Sequence, residues 1–411
     1  MKRNLAVAAL VTVAAVTGWW FVGRPPPKPV APPRPAPTNA PAAVAALEKA
    51  GARFVRDDRR VGRPVVGVTL VGGMVDDALM EQVGRLGLLT ALTLQGTRVT
   101  DAGLKPLANL TLLEELRLDG AFVGDAGMEA LSDLKTLRIL ALRGTAVSDA
   151  GLARLAGLTA LEELALFGTK VSDAGLAHLR AMDGLRALDL RFTAVGDAGL
   201  DEVGRHAMLR DLRLEKTRIG DAGLARLAAL RELELLDLSG TGVTDAGLRH
   251  LGGLTALRVL LLADTGVSDD GFVHLDRLKA LHTLDLAGTK ATARRRTNCR
   301  RWSWPNLSRS GVRDAALEKL SACRTLRELN LSFTDITDQA VPPVAAAGGA
   351  GGARPVADGV TDKGVAELAK AYRLKKVHLV VGGEISDEAI ERWQKALPGL
   401  KVEQLIEEAD R

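Results

Sequence analysis

The chain has 411 residues, a formal net charge of +5 at pH 7 and only 3% aromatic residues. So small a basic excess does not require nucleic acid and argues only weakly for acidic partners. Length alone would divide the chain into two or three domains, but a phrase that returns at a fixed interval replaces that division with one long array.

Residues 1–23 read as a targeting segment. Lys2 and Arg3 precede an apolar run over 5–22. At ~1.5 Å per residue such a helix is about 27 Å long, close to the ~30 Å hydrocarbon core of a bilayer. Trp19 and Trp20 near its far end suit a membrane interface. The run ends in Trp-Trp-Phe-Val rather than at a small-residue cleavage site. That favours an uncleaved, single-pass signal anchor with the body of the protein outside the cytoplasm. Secretion after signal cleavage is the alternative. Residues 24–41 hold nine of the sixteen prolines, a composition that makes an extended, semi-rigid spacer. Residues 42–64 then form an N-terminal cap, with a helix expected over 42–50, a strand over 52–57 and a polar turn over 59–64. A repeat array needs such an atypical first unit, because its end would otherwise expose the apolar core.

The array runs over 65–405, before a short tail at 406–411. Its phrase is Gly-Thr-x-Val-(Thr/Ser/Gly)-Asp-Ala-Gly-Leu. The threonine position falls at Thr97, Ala121, Thr145, Thr169, Thr193, Thr217, Thr241, Thr265 and Thr289, always at the same 24-residue step. The aspartate keeps the same beat from Asp77 through Asp101 and Asp125 to Asp269. A period in the twenties marks a solenoid of stacked supersecondary units. In the unit at 113–134, Leu116 and Leu118 alternate with Arg117 and Asp119, which predicts a short strand with leucines inward. Gly120 turns the chain, and Val123 points inward. Asp125 precedes an apolar pattern of Met128, Leu131 and Leu134, so it is expected to cap a short helix. The threonine hydroxyls are expected to bond backbone groups of neighbouring coils, since a buried turn must satisfy its polar groups. About thirteen to fourteen coils follow, some ~65 Å of sheet at ~4.8 Å per strand.

Two stretches break the phrase. Over 291–305 it is replaced by ATARRRTNCRRWSWP, and Leu307 follows Leu286 three positions sooner than the beat requires. Arg294, Arg295, Arg296, Arg300 and Arg301 with Trp302 and Trp304 make a basic-aromatic island. Such an island can contact phosphates, acidic glycans or anionic lipid heads, or it can be a degenerate or frame-shifted repeat. Over 339–358 the coil spacing survives while the leucines do not, which predicts a flexible loop and a frayed stack. A closing helix over 389–396 and a last strand over 402–405 are expected beyond it.

The units resemble bacterial leucine-rich repeats of this same period. They are similar in phrase to the cysteine-containing class found beside F-box modules, LxxLxLxxT-x-(V/I)-TD-x-GL. The resemblance spans about 65–405. It implies an α/β solenoid, a leucine-rich-repeat horseshoe with an inner parallel sheet and short outer helices, and it implies protein binding through the strand face. Residues 42–64 do not look like an F-box.

Candidate chemistry is sparse. Cys299 and Cys323 lie one repeat length apart; they are read as free thiols, with a disulfide between coils as the alternative, and neither has the spacing of a zinc site. His178, His250 and His274 each fall five residues after a phrase aspartate and read as a solvated row. No nucleophile elbow, P-loop or His-Glu-x-x-His motif occurs, so the chain reads as a non-enzyme with no cofactor and no metal. What remains is the strand face. Its expected partner-binding positions are Arg143, Glu163, Phe167, Asp189, Arg191, Arg213 and Glu215, followed by a greasier stretch of Leu235, Val259 and Leu261. An exposed Phe167 beside that stretch would suit a protein partner. The reading is a monomeric, membrane-anchored recognition solenoid. A structural envelope protein that self-assembles or binds cell-wall material is the alternative.

Overall fold

A computed structural model describes residues 40–292 and 304–313, the strands at 328–330, 334–337, 352–354 and 357–359, and the helical residues Glu391 and Lys395. The chain divides into two units, Met1–Pro37 and Thr38–Arg411, and all described residues belong to the second. The expected anchor over 1–23, the arginines of the 291–305 island, Trp302, and both cysteines lie outside the described residues. Among those described, no helix is long and apolar enough to cross a membrane.

The architecture is a solenoid with one strand per coil. A helix at Pro41–Lys49 leads into β1 (Arg53–Arg56), which pairs antiparallel with β2 (Val65–Val71). From there every pairing is parallel. The strands are β3 (Ala91–Gln95), β4 (Glu115–Arg117), β5 (Ile139–Ala141), β6 (Glu163–Ala165), β7 (Ala187–Asp189) and β8 (Asp211–Arg213). They continue through β9 (Leu235–Asp237), β10 (Val259–Leu261), β11 (Thr283–Asp285), β12 (Trp304–Asn306) and β13 (Glu328–Asn330). Two strands, β14 (Thr334–Thr337) and β16 (Ala357–Gly359), pair apart from this sheet, and β15 (Gly352–Arg354) closes it beside β13. Each strand from β3 to β11 is in register with its equivalent one repeat on, as Leu116 with Leu140 and Leu164 with Leu188.

The alternation read from the sequence places the core. Leu116 and Leu118 are fully buried, and so are the turn residue Val123 and the helix residues Met128 and Leu131. Each buried leucine contributes about 1.5–3 kcal/mol, and successive coils lay nearly the same set against their neighbours. The outer helices are short, from seven-residue α-helices such as Asp149–Leu155 to a four-residue α segment such as Asp173–Leu176 running into a 3-10 turn at Ala177–Leu179. Tightening to the 3-10 form closes the coil within the residues left by strand and turn.

The two polar ladders depart from expectation. The threonine hydroxyls do not reach the next coil. Thr145 Oγ1 donates to Leu142 O at 2.7 Å, and Thr169 to Leu166 O at 2.7 Å; the threonines from Thr193 to Thr289 repeat this bond. The hydroxyl reinforces its own four-residue turn by bonding the carbonyl three residues back. The phrase aspartates, in turn, are not helix caps. In several coils the preceding Ser or Thr does that work, with Ser148 Oγ accepting from Ala150 N and Thr244 Oγ1 from Ala246 N, while Ser172 makes no such bond. The aspartate reaches forward instead. Asp149 Oδ1 accepts from Ser172 N at 2.8 Å and Oδ2 from Ser172 Oγ at 2.6 Å. The same link joins Asp77 to Thr100, Asp125 to Ser148, Asp221 to Thr244, Asp245 to Ser268 and Asp269 to Thr292. Where glycine replaces the hydroxyl residue, the amide bond alone remains, as from Gly196 N to Asp173.

This link explains the glycine of Asp-Ala-Gly. A Cβ on Gly127 would sit 2.6 Å from Asp101 Oδ1, and one on Gly151 would sit 2.5 Å from Asp125 Oδ1. The previous coil's carboxylate fills that space.

The breaks keep the sheet. Between β11 and β12 the coil is three residues short, yet Leu284 pairs with Pro305 and Asp285 with Asn306. Ser310 then takes the threonine position, donating to Leu307 O at 2.5 Å, and Val312 is buried. The expectation of a loop across 339–358 is corrected at its far end. Residues Gly352–Arg354 pair with Glu328–Asn330 at the usual offset of one repeat. Parallel pairing is made by backbone groups, so it needs the spacing and not the leucines.

Candidate functional site

The strand face carries the side chains that do not repeat. One row across the sheet reads Arg117, Ala141, Ala165, Asp189, Arg213, Asp237, Leu261 and Asp285. Over β4 to β8 this face is an ion-pair lattice. Arg191 clamps Asp189 with two 2.9 Å hydrogen bonds and lies 3.7 Å from Glu215. Arg213 does the same to Asp211 at 3.0 and 2.9 Å. Arg117 meets Glu115 at 2.5 Å, and Arg143 lies 3.5 Å from Asp189 while its Nε makes no hydrogen bond. The bonds to Asp189 and Asp211 raise the affinity of Arg191 and Arg213 for their protons above the ordinary guanidinium value. Ala141, Ala165 and Ala187 form the floor of a shallow depression of about 160 Å³, with Arg117, Arg143, Glu163 and Asp189 among its walls.

The expected binding residues are placed as follows. Glu163 is exposed, and Arg143, Arg191, Arg213 and Glu215 are partly exposed. Asp189 is buried under its arginine. Phe167 is neither freely exposed nor beside the greasy stretch. It is half-buried, with the Arg191 guanidinium 5.2 Å above its ring and the Phe192 ring 5.1 Å away at 57°. Leu235 stands three strands away on β9, because each coil moves only one strand along the sheet. Leu235, Val259 and Leu261 are themselves half-buried. From β9 to β12 no strand-face arginine follows; the row next meets one at Arg354 on β15, paired by its backbone with Asn330. Asp285 is pushed above the usual carboxylate range by burial, against hydrogen bonds from Ala287 and Asn306 that lower it. Of the island, Trp304 belongs to β12 by its backbone. His178, His250 and His274 lie on the outer 3-10 turns, and among the described residues no cluster of side chains suits a metal ion.

Sequence reasoning missed two sets of residues. His206 occupies the core position filled by Met182 and Leu230 in flanking coils and is 3% exposed. Burial lowers its pKa, and its Nε2 has no hydrogen-bond partner. The second set lies in the Gly-Thr turn. Its third residue takes a positive φ, where glycine is favoured: Gly144 has φ 66° and Gly168 has φ 65°. Phe192, Lys216 and Asp264 hold the same position with φ 56°, 55° and 54°. The signal was visible as a lost glycine before threonine.

Comparison with known proteins agrees with this geometry. A family model described as Leucine Rich repeat matches residues 185–204 and 322–341. No curated protein matches the chain. Among solved structures, an internalin (inlF) from Listeria monocytogenes is similar over 90% of this chain and 94% of its own, with 20% identity and a TM-score of 0.53. A leucine-rich-repeat protein of Leptospira interrogans is similar over 82% of this chain and 89% of its own, with 17% identity and a TM-score of 0.49. With its periodic phrase, its one-strand coils, the family model matched over those two stretches and the likeness to the internalin fold, the chain has the leucine-rich-repeat solenoid fold.

Proposed function

We propose that this chain is a recognition module that binds a protein through its strand face. The observation that carries the reading is the change of side chains across that face. The leucines, threonines and aspartates of the framework recur coil after coil, whereas Arg143, Phe167, Arg191 and Glu215 stand at equivalent positions on successive coils. A solenoid needs no such variation to fold. A rigid sheet that presents unlike side chains at fixed spacing lowers the entropy cost of binding. Binding rather than catalysis suits a face built of paired charges and a shallow depression. In this reading residues 1–23 anchor the module and hold it outside the cytoplasm.

Crosslinking and affinity capture from intact cells tests the reading. The full-length chain is compared with a Phe167→Ala, Arg191→Glu variant. A protein partner captured by the first and lost by the second, while the second remains folded at the assay temperature, supports it. Capture that survives the substitutions overturns the role of this face, and self-crosslinks without a partner would favour a self-assembling envelope protein.

A further inference from the structure

The turn edge beyond the strands carries a second row of side chains. The residue after each phrase threonine bonds back to the previous coil, as Lys170 N to Val147 O at 2.9 Å and Arg218 N to Val195 O at 2.8 Å. These residues form isolated parallel bridges from coil to coil, including Thr100 with Phe122, Ser148 with Lys170, Gly196 with Arg218 and Ser268 with Lys290. Their backbone positions are therefore stacked from coil to coil in a file, with Ala146, Ala194, Gly242 and Gly266 at the positions between the larger side chains. Phe122 is 71% exposed, and Lys170, Arg218 and Lys290 are exposed.

The positive-φ turn residues join this file. Phe192 is 47% exposed and leans on Phe167, while the Lys216 side chain lies over Gly240. Left-handed backbone is costly for residues other than glycine, and such outliers gather at functional sites. Glycine at 192 or 216 would have given the turn used by Gly144 and Gly168. The edge also differs in charge from the strand face. Every strand-face arginine from β4 to β8 is paired with a carboxylate. Lys170, Lys216, Arg218 and Lys290 form no ion pair among the described residues, and the neighbouring carboxylates of Asp149 and Asp197 are engaged by the next coil.

We propose that this edge binds an extended, acidic polypeptide segment with apolar side chains between its acids. The inference rests on the protein-recognition reading and names the partner's chemistry. Neighbouring coils are ~4.8 Å apart, so Lys170 stands about 10 Å from the coil of Lys216 and Arg218, which stands about 14 Å from Lys290. An extended peptide advances ~3.3 Å per residue, which sets an acid at every third or fourth residue. Duplex DNA presents a charge every ~1.7 Å of axis, far denser than this file. Phe192 supplies apolar contact between Lys170 and Arg218, and Phe122 extends the apolar contact two coils before Lys170.

The test uses the full-length protein and fluorescence anisotropy with labelled peptides of about twelve residues. These carry glutamate at every third or fourth position and leucine or phenylalanine between. A matched peptide with glutamine for glutamate, a single-stranded oligonucleotide and a heparin fragment serve as comparisons. The acidic peptide is expected to bind at least tenfold more tightly than its glutamine counterpart. Phe192→Gly with Lys216→Gly, and separately Lys170→Ala with Arg218→Ala, should each weaken it at least fivefold without lowering the melting temperature. Unchanged binding in both edge variants overturns the proposal, as does binding of heparin or the oligonucleotide with none of the peptide. If the peptide is lost only from the Phe167→Ala, Arg191→Glu variant, the edge assignment fails while protein recognition by the face stands. If no peptide binds the unaltered protein, the acidic partner is excluded, and cellular capture judges the broader reading separately.

Discussion

The strand face and the turn-and-helix framework come from the same coils but obey different rules. In the framework a residue is answered at a fixed distance: Asp149 by Ser172, Thr145 by Leu142, Gly151 by the carboxylate before it. On the face, Ala165 lies beside Asp189 and Asp189 beside Arg213, with no period. The difference teaches where to look for each kind of information. A position that recurs is accounted for by the stack itself. A position that breaks the beat, such as Phe192 in a glycine's place, owes its identity to something outside the stack.

The sharpest way to break this division is to overfill the framework. Gly151→Val should lower stability by about 3 kcal/mol, because its side chain meets Asp125 and Val147 in a packed interior. Urea unfolding measures it, and a loss under ~0.5 kcal/mol would remove the packing account of this glycine. Asp149→Ala should cost about 2 kcal/mol, through a charged acceptor lost to two donors. A double-mutant cycle with Ser172→Ala separates a link between coils from a helix cap. Additive effects would favour the cap. The smallest effect concerns His206, whose folded-state pKa is lowered by burial. The unfolded chain then holds more protons, so stability rises with pH in that range. The full contribution is present above the unfolded value of about 6.5 and is lost as the pH falls toward the lowered folded value. Replacing it by leucine, the residue at Leu230 one coil on, should flatten the pH dependence of unfolding below neutrality. An unchanged slope would show that other groups set it.

The fold was legible because its causes are periodic. Leu116 and Leu118 announce a strand by alternation, and the constant repeat offset fixes the pairing of Leu116 with Leu140 without further information. The polar ladders were located but their bonds were not. An aspartate ahead of a helix has the sequence appearance of a cap, and nothing local says that its acceptor oxygens face the following coil. The face was half legible. Arg143, Phe167 and Arg191 were found from the alternation. The clamp of Arg191 on Asp189 and the lean of Phe192 onto Phe167 depend on side-chain directions that spacing leaves open. His206 was hidden by its residue type, because histidine is ordinarily read for chemistry and here fills a leucine's place.

The forward reach of the aspartates has a consequence for how such an array changes length. Asp149 and Ser172 are separated by one position less than a full repeat, so a contiguous block of repeat length carries either one half of each of two neighbouring links or one link whole. Excising or duplicating such a block rejoins equivalent halves, wherever the cut falls. A block of another size leaves a carboxylate facing the wrong residue. Unequal recombination in whole units is thus structurally silent, and the number of coils is free to drift while the chemistry of every seam is kept.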